Sequence, residues 1–322
     1  MVQTLIHASA QPVAAPDLAV AVDALVKVYG GKAGSKVALD GVSLAVPRGS
    51  FFGLLGPNGA GKSTLINILA GLVLKTSGRV RVWDRDIDVD PRAAKAAIGV
   101  VPQELNLDPF FTPRELLDVQ AGLYGVPKRQ RRTMEILDAV GLVDKADSYA
   151  RTLSGGMRRR LLVAKAMVHD PPVLVLDEPT AGVDIELRRQ LWEHVQAMNA
   201  RGTTILLTTH YLEEAERLCD RIAIIDKGRV AACDTTRNLL ARVDGKKLTV
   251  TVDGLPAELP PDLAAFSPAI EAGNKLVFTF KASLLPIGAI LDAVRAAGLV
   301  IVDLITEEAD LEDIFLQLTS AR

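Results

Sequence analysis

The stretch Gly56-Pro-Asn-Gly-Ala-Gly-Lys62-Ser63 decides the fold, because it fits the pattern G-x-x-x-x-G-K-[ST]. A short apolar run, Phe51–Leu55, precedes it, and residues 63–72 follow with the apolar spacing of a helix. Strand, glycine-rich loop and helix in this order are the context that the pattern requires. The glycines let backbone N–H groups point at phosphate oxygens, and the following helix adds its positive end. The stretch therefore predicts a cradle for the phosphates of a nucleoside triphosphate.

Each residue of this loop has an expected task. Lys62 is expected to reach the β and γ phosphates, and the Ser63 hydroxyl to ligate Mg²⁺. The residues expected to complete the cradle are Gly56, Pro57, Asn58, Gly59, Ala60, Gly61 and Thr64. The alternative is a glycine-rich turn ahead of a structural helix, but the flanking apolar run and helix favour the phosphate loop.

A second apolar run, Val173–Asp177, ends in a carboxylate and is followed by Glu178. Carboxylates at the carboxyl ends of parallel strands open into the crevice where such sheets bind ligands. Asp177 is expected to hold Mg²⁺, directly or through water, and Glu178 to orient the water that attacks the γ-phosphate. A strand that ends in a solvated turn is the alternative, and the Lys62 loop elsewhere in the chain favours the hydrolytic interpretation.

The rest of the chain predicts two domains within 322 residues. Apolar runs alternate with helical stretches up to about residue 242, which is typical of an α/β fold with a parallel sheet. Thr112 and Pro113 fit a capped helix start, with Glu115 at the capping-box position. The last part of the chain predicts a small α+β domain with half-buried strands. The predicted parts are a flexible leader at 1–17, an α/β domain at 18–242 with a helical subdomain at about 105–166, and an accessory domain at 243–322.

Composition narrows the class of protein. Hydrophobic residues make up 49% of the chain and charged residues 24%, which supplies enough apolar material for a buried core. The formal net charge of −2 gives no reason to expect nucleic acid as a partner. Cys219 and Cys233 stand in no metal or redox spacing and are expected to be reduced thiols of a cytosolic protein.

No stretch predicts a membrane span. The longest apolar candidate, residues 66–74, is interrupted by Asn67 and falls short of the roughly 18 to 20 residues that a span needs. Residues 1–17 lack the basic start of a signal peptide. We therefore expect a cytoplasmic protein that would work at a membrane by docking to a partner.

A further motif, Leu153-Ser-Gly-Gly-Met157, makes the prediction specific. Together with the Lys62 loop, it resembles the nucleotide-binding subunit of ATP-binding cassette (ABC) transporters. The resemblance covers roughly residues 18–240 and implies a P-loop NTPase of the ABC type, with a parallel-sheet core, an antiparallel β subdomain and a helical subdomain. The other matching elements are Tyr29 as the adenine-stacking aromatic, Gln103 as the Q-loop glutamine, residues 181–184 as the D-loop and His210 as the switch histidine.

The resemblance also implies roles for these residues. By it, Ser154, Gly155 and Gly156 close on ATP held by a partner subunit, so that a head-to-tail dimer sandwiches two ATP molecules. Gln103 is implied to reach Mg²⁺ and the attacking water, and His210 to contact the γ-phosphate. The implied catalytic residues are Lys62, Gln103, Glu178 and His210; the implied metal ligands are Ser63, Gln103 and Asp177; the implied cofactors are ATP and Mg²⁺.

The implied partners are a second copy or a paralogous ATPase, and a separate integral membrane permease. The tail Asp310-Leu-Glu-Asp-Ile-Phe-Leu316 is similar to that of daunorubicin-resistance-type exporters, a multidrug and polysaccharide group, which favours export over import. The implied location is the cytoplasm, peripheral on the inner face of the cell membrane through the permease. We expect the accessory domain to regulate the ATPase or to strengthen its dimer.

Three features depart from the family's pattern. Met157 stands where glutamine is common, Gly182 and Val183 replace Ala-Leu in the D-loop, and residues 30–36 form a longer loop than is typical. Because the expected phosphate contacts come from Ser154 and backbone groups, we expect ATP sandwiching to survive the change at Met157.

Two other functions compete with a transporter ATPase. A soluble ABC ATPase that acts on ribosomes or DNA is disfavoured, because the chain has one cassette, no heptads and no excess of basic residues. A nucleotide-binding regulator without hydrolysis is disfavoured by the presence of both Glu178 and His210.

Two surface features complete the predictions. Phe110 and Phe111 fall where the family receives the coupling helices of its membrane subunit, and they are either an exposed docking patch or part of the core. The basic runs at 128–132 and 158–160 are expected to be solvated helix faces rather than lipid or nucleic-acid patches.

Overall fold

The computed structural model describes residues 17–31, 34–180, 182–183, 185–241, 246–256, 259–280, 284–308 and 310–320. They divide into two compact units. The first contains the chain up to Phe51 together with Ser63–Leu207, and the second contains Phe52–Lys62 together with the chain from Thr208 onward. The predicted leader at 1–17 lies almost entirely outside the described residues.

The elements alternate along most of the chain, as an α/β fold requires. The strands are β1 (Leu18–Gly31), β2 (Gly34–Pro47), β3 (Phe51–Leu55), β4 (Ser77–Val82), β5 (Arg85–Asp86), β6 (Ile98–Val101), β7 (Val173–Asp177), β8 (Thr204–Thr208), β9 (Arg221–Asp226), β10 (Arg229–Thr235), β11 (Lys246–Val252), β12 (Ala269–Glu271), β13 (Lys275–Phe280) and β14 (Ile301–Glu308). The helices are α1 (Lys62–Leu69), α2 (Pro91–Ala96), α3 (Pro113–Leu123), α4 (Thr133–Ala139), α5 (Gly155–Met167), α6 (Ile185–Ala200), α7 (Leu212–Leu218), α8 (Thr236–Leu240), α9 (Pro261–Ala264), α10 (Ile287–Ala296) and α11 (Leu311–Ser320). None of the helices in the described part of the chain combines the length and the apolar character that a bilayer span requires.

An antiparallel sheet with the order β2-β1-β4-β5 lies in the first unit. Its central strand β1 carries Val22 opposite Leu44 on β2 and Val80 on β4. The pairing is interrupted after Val22, where Ala24 adopts a positive φ of 44°. Gly78 is required there, because its φ is +93° and a Cβ would lie 2.5 Å from the Ala24 carbonyl oxygen.

The first unit also contains the strand order β8-β7-β6, in which β6 and β7 pair in parallel. Every residue of β8 is buried, as are the first four of β7. Strands that are covered on both faces need apolar residues at successive positions, which explains the continuous apolar runs in the sequence. Helix α6 adds Trp192, whose ring centroid lies 6.4 Å from that of Phe51.

Helices α3, α4 and α5 form the predicted helical subdomain around an apolar cluster of their own. Helix α3 begins with the predicted capping box: the Glu115 N–H donates to Thr112 Oγ1 at 3.2 Å, and the Thr112 N–H donates to Glu115 Oε2 at 2.9 Å. Helix α5 lies directly on β6, because a Cβ at Gly99 would be 2.3 Å from the Ala166 carbonyl oxygen. The glycine therefore permits this close approach of helix and strand.

The second unit contains the strand order β10-β9-β3. Strands β3 and β9 are parallel, with Leu54 opposite Ala223, and β10 returns antiparallel to β9. The phosphate loop follows β3 directly, so its geometry belongs to this unit.

The last part of the second unit is an antiparallel sheet with the order β12-β13-β11-β14. Leu248, Val250 and Val252 alternate into an apolar cluster that α9 and α10 complete, as the sequence predicted. Helix α11 packs against α7 and α8, and the Leu311 N–H donates to Glu216 Oε2 at 3.3 Å. The domain boundary near residue 242 stays a prediction, since residues 242–245 lie outside the described part.

Candidate nucleotide site

The phosphate loop adopts a conformation that depends on its glycines. Gly56, Gly59 and Gly61 have φ values of +155°, +79° and +112°. At Gly56 a Cβ would lie 2.2 Å from the carbonyl oxygen of Ile225 in β9, so no side chain fits there. The Gly228 N–H, in the turn after β9, donates to the Ala60 carbonyl at 2.9 Å and fixes the other side of the loop.

Lys62 begins α1 and is buried, with 7% of its surface exposed. Its Nζ donates to the carbonyl oxygens of Gly56 at 2.6 Å and Pro57 at 3.1 Å. The ammonium therefore lies within the loop that its own backbone forms. Ser63 is exposed in the first turn of α1, and Thr64 is half-buried. A positive group at a helix N-terminus, ringed by glycines, attracts phosphate.

Glu178 and Gln103 meet through their side chains. Gln103 Nε2 donates to Glu178 Oε2 at 2.7 Å. Glu178 is 9% exposed and has a positive φ of 50°, a backbone conformation that costs a non-glycine residue about 1 to 3 kcal/mol. Asp177, at the end of β7, is half-buried. The structure thus brings together two of the residues that the sequence assigned to the attacking water.

Arg159 holds the backbone of the same two loops. Only 4% of this residue is exposed. Its Nη1 donates to the Pro102 carbonyl at 2.9 Å and the Gln103 carbonyl at 2.8 Å, its Nε donates to the Pro179 carbonyl at 2.9 Å, and its Nη2 donates to the Glu178 carbonyl. Burial lowers the pKa of Arg159 from its ordinary value, and the charges of Asp177 and Glu178 oppose that shift.

The prediction of a solvated helix face at 158–160 is wrong for Arg159. Its neighbours at helical spacing, Leu162, Val163 and Ala166, are all buried, so Arg159 lies on the core side of α5. Arg160 is half-buried and donates from Nη1 to the Val140 carbonyl at 2.7 Å. The run at 128–132 is exposed except for the half-buried Arg131, as predicted.

The Ser154 motif forms the start of α5. Ser154 is the N-cap, and its Oγ accepts the Met157 N–H at 3.2 Å. Ser154 and Gly155 are exposed and Gly156 is half-buried, so the helix start is accessible. Met157 packs against the apolar cluster of the helical subdomain, which gives the departure from glutamine a structural role.

Tyr29 and His210 are both exposed. Tyr29 lies on β1, with the Lys27 ammonium 4.6 Å from its ring centroid. His210 follows the buried Thr209, whose hydroxyl donates to Glu214 Oε2 at 3.1 Å and accepts the Tyr211 N–H at 3.0 Å. Of the predicted D-loop, Ala181 and Asp184 lie outside the described residues, and Gly182 has a positive φ of 69°.

The chain is similar to known proteins of one family. A family model described as ABC transporter matches residues 39–181. The chain is 40% identical to a Nod factor export ATP-binding protein I of Paraburkholderia xenovorans (strain LB400), over 94% of this chain and 98% of that protein. A protein of the same name from Rhizobium sp. (strain N33) is 38% identical over 89% of this chain and 93% of its own length. The chain belongs to the ABC transporter family.

Solved ABC structures have the same fold. One is the structure of an ATP-binding subunit of an ABC transporter, which is 30% identical to this chain with a TM-score of 0.62. The match covers 69% of this chain and 92% of the solved chain. Another is an ATP-binding cassette in a dimeric post-hydrolysis state, bound to ADP and Pi, which is 28% identical to this chain with a TM-score of 0.61. The match covers 68% of this chain and 99% of the solved chain. The predicted P-loop NTPase fold of the ABC type is confirmed, and the chain is an ABC ATPase.

Sequence reasoning missed Arg159 in this ABC ATPase. Its burial follows from the helical spacing of Leu162, Val163 and Ala166, a signal that the sequence contains. Its carbonyl partners, by contrast, come from two segments distant in the chain, and no local pattern marks them.

Proposed function

We propose that this ABC ATPase is the ATP-hydrolysing subunit of an exporter and drives a separate membrane permease by closing as a dimer around two ATP molecules. The observation that carries the proposal is the contact between Gln103 Nε2 and Glu178 Oε2 at 2.7 Å. A carboxylate beside an amide at a strand end can orient one water, with the carboxylate as the base and the amide as a second hydrogen-bonding partner, which phosphoryl transfer to water requires.

Other predicted site residues have complementary tasks in the proposal. Lys62 and the N–H groups of its loop bind the β and γ phosphates, and His210 contacts the γ-phosphate. Tyr29 stacks on adenine; its ring is exposed on β1, as such a contact requires. Ser154, with Gly155 and Gly156, contacts the nucleotide of the partner subunit from the accessible start of α5.

Mg²⁺ fits the residues present. The Ser63 hydroxyl, the Asp177 carboxylate and the Gln103 side-chain oxygen are the hard donors that this ion prefers. Gln103 gives its N–H to Glu178, so its oxygen is the group that a cation would take. Phosphate oxygens of ATP would complete the ligand set in the proposal. Across the residues that the structure describes, no group of three or more His, Cys, Asp and Glu could hold a metal. The ion would neutralise charge on the phosphates.

The proposed permease contact has a candidate surface. Phe110 is 69% exposed and Phe111 is 37% exposed, so the alternative that both rings are core is wrong. Tyr149 is also exposed, and the Arg151 guanidinium lies 5.9 Å from the Phe110 ring and 5.3 Å from the Tyr149 ring. Aromatic and arginine side chains on one exposed patch are typical of protein interfaces. The relatives' names, which contain "export ATP-binding protein", support an exporter and hence a permease in the membrane.

The variant Glu178→Gln tests the proposed function. It should bind Mg-ATP with wild-type affinity, lose at least about 100-fold in turnover because the base that polarises the water is gone, and accumulate as an ATP-dependent dimer. ATPase assays and light scattering with and without Mg-ATP measure this. The matched control adds Lys62→Ala, which should abolish ATP binding and the dimer together. A Glu178→Gln protein that stays monomeric in saturating Mg-ATP would refute the dimer mechanism.

A further inference from the structure

One buried guanidinium joins the loops that carry Gln103 and Glu178. Arg159 uses four of its five N–H groups on the backbone carbonyls of Pro102, Gln103, Glu178 and Pro179. These carbonyls belong to the two residues whose side chains meet at 2.7 Å and to one neighbour of each. The position of one side-chain pair therefore depends on one arginine.

Only the planar fork of arginine can make this set of contacts. A guanidinium presents its donors in one plane and in fixed directions, whereas a lysine ammonium is a compact group with three donors. Lysine at position 159 would keep the positive charge near Asp177 and Glu178, but its single nitrogen has only three donors for the four carbonyls that Arg159 contacts. The loops would then be free to shift relative to each other.

Arg159 also belongs to the helix that begins with the Ser154 motif. Ser154 is the N-cap of α5, and five residues of helix span about 7.5 Å. Gly99 lets α5 lie directly on β6, and β6 leads into Pro102 and Gln103. A displacement at the Ser154 end therefore reaches the arginine and its carbonyl partners through one rigid helix.

We propose that Arg159 is a positioning residue for hydrolysis, through which α5 sets the geometry of the Gln103–Glu178 pair in its own subunit. This inference rests on the proposed function, in which the Ser154 end of α5 contacts ATP held by the partner subunit. ATP in one site then aligns the water-positioning residues of the other site, and the two sites hydrolyse cooperatively.

Arg159→Lys separates this role from ATP binding. We expect kcat to fall about 10- to 100-fold, the loss that small misplacements of catalytic groups produce, while KM for ATP stays within about twofold. The Hill coefficient of ATP hydrolysis should fall from above one toward one. Combined with Glu178→Gln, the variant should still form the ATP-dependent dimer, because the Lys62 loop and Ser154 are unchanged.

Arg160→Lys is the matched control. Arg160 lies next in the same helix, but its Nη1 donates to the carbonyls of Val140 and Gly141, outside both loops. Its kcat and Hill coefficient should stay within about twofold of the wild type. The double variant Arg159→Lys, Gln103→Ala should lose less activity than the product of the two single losses, because both changes disturb one unit.

Wild-type kcat and Hill coefficient in Arg159→Lys, or independent effects in the double variant, would overturn the proposal. If Arg159→Lys does not fold, as judged by its thermal transition, Arg159→Gln is measured with the same criteria. Failure of the proposed function gives a different result, since Glu178→Gln with native Arg159 would then show no ATP-dependent dimer.

Discussion

Gly56 and Arg159 occupy positions at which the identity of one residue decides the backbone geometry around it. At Gly56 the phosphate loop passes so close to β9 that even a methyl group would overlap the Ile225 carbonyl. Arg159 lies between four backbone carbonyls and donates a hydrogen bond to each of them. In both cases the backbone is fixed by one residue, and the chemistry is done by its neighbours.

Gly56→Ala should therefore abolish nucleotide binding. The added Cβ would meet a backbone atom at 2.2 Å, and the φ of +155° is strained for alanine, which costs on the order of 1 to 3 kcal/mol. Calorimetric ATP titration and urea unfolding measure the two effects. The control is Gly288→Ala in α10, where no atom of the described residues outside the helix's own backbone lies within 4 Å of the new methyl group, and stability should rise by about 0.5 to 1 kcal/mol. ATP binding by Gly56→Ala at wild-type affinity would contradict the loop geometry described for this chain.

The two residues also mark how far sequence reasoning reaches. The phosphate loop was predictable because its glycines, Lys62 and Ser63 lie within one short stretch of sequence. The spacing of these residues is typical of a single backbone conformation. The burial of Arg159 has a signal in the helical spacing of its apolar neighbours, but its partners, at 102–103 and 178–179, become neighbours only when α5 packs on β6. The left-handed conformation of Glu178 has no sequence signal either, since glutamate rarely adopts it.

Among the elements, α3 is specified locally and α5 by its neighbours. The sequence predicts the start of α3 from the capping box of Thr112 and Glu115 and from Pro113 in the first turn. The structure confirms that start. Helix α5 has an N-cap at Ser154, but the face that it buries is set by contact with β6 at Gly99. The exposure of Phe110 and Phe111 was likewise open in the sequence, because an aromatic pair fits a core and a surface patch equally well.

Thr112→Ala should lower the free energy of unfolding by about 1 kcal/mol. The variant loses the hydroxyl that accepts the Glu115 N–H, which leaves a helix N–H without its cap. Thr112→Ser keeps that oxygen and should remain within a few tenths of a kcal/mol of the wild type. The urea midpoints of the three proteins give the comparison, and equal midpoints for alanine and serine would show that the cap contributes nothing.

At the scale of the whole molecule, the chain contains a part that it shares with solved ABC cassettes and a further part that those cassettes lack. The solved ABC cassettes are matched over 92 and 99% of their lengths but cover only 69 and 68% of this chain. The export ATP-binding relative from Paraburkholderia, by contrast, is matched over 94% of the chain. The sheet β12-β13-β11-β14 with its own apolar cluster supports our proposal of an accessory domain at 243–322.

Truncation at Arg242 tests the role of that domain. In the Glu178→Gln background, we expect the dimer's dissociation constant in Mg-ATP to rise about tenfold, or ~1.4 kcal/mol, and the ATPase rate of the otherwise wild-type truncated chain to change. Sedimentation and ATPase assays measure both. The matched full-length variant is Leu311→Ala, which removes a fully buried side chain of α11, the helix that packs against α7 and α8, but keeps the sheet. If the truncated chain dimerises and turns over ATP like the full-length chain, the proposal that the domain regulates the ATPase or strengthens its dimer is wrong.

The bare backbone at Gly99 has a mechanical consequence. The Ala166 carbonyl oxygen lies 2.3 Å from the place that a Cβ at Gly99 would take, so the backbone of α5 is in close contact with the backbone of β6 at this point. Such a contact leaves little room for α5 to move separately from β6. A shift at the Ser154 end of the helix should therefore be transmitted to the strand. A larger side chain at position 99 would force α5 away from β6. Such a variant should still bind ATP but should lose the coupling between α5 and hydrolysis.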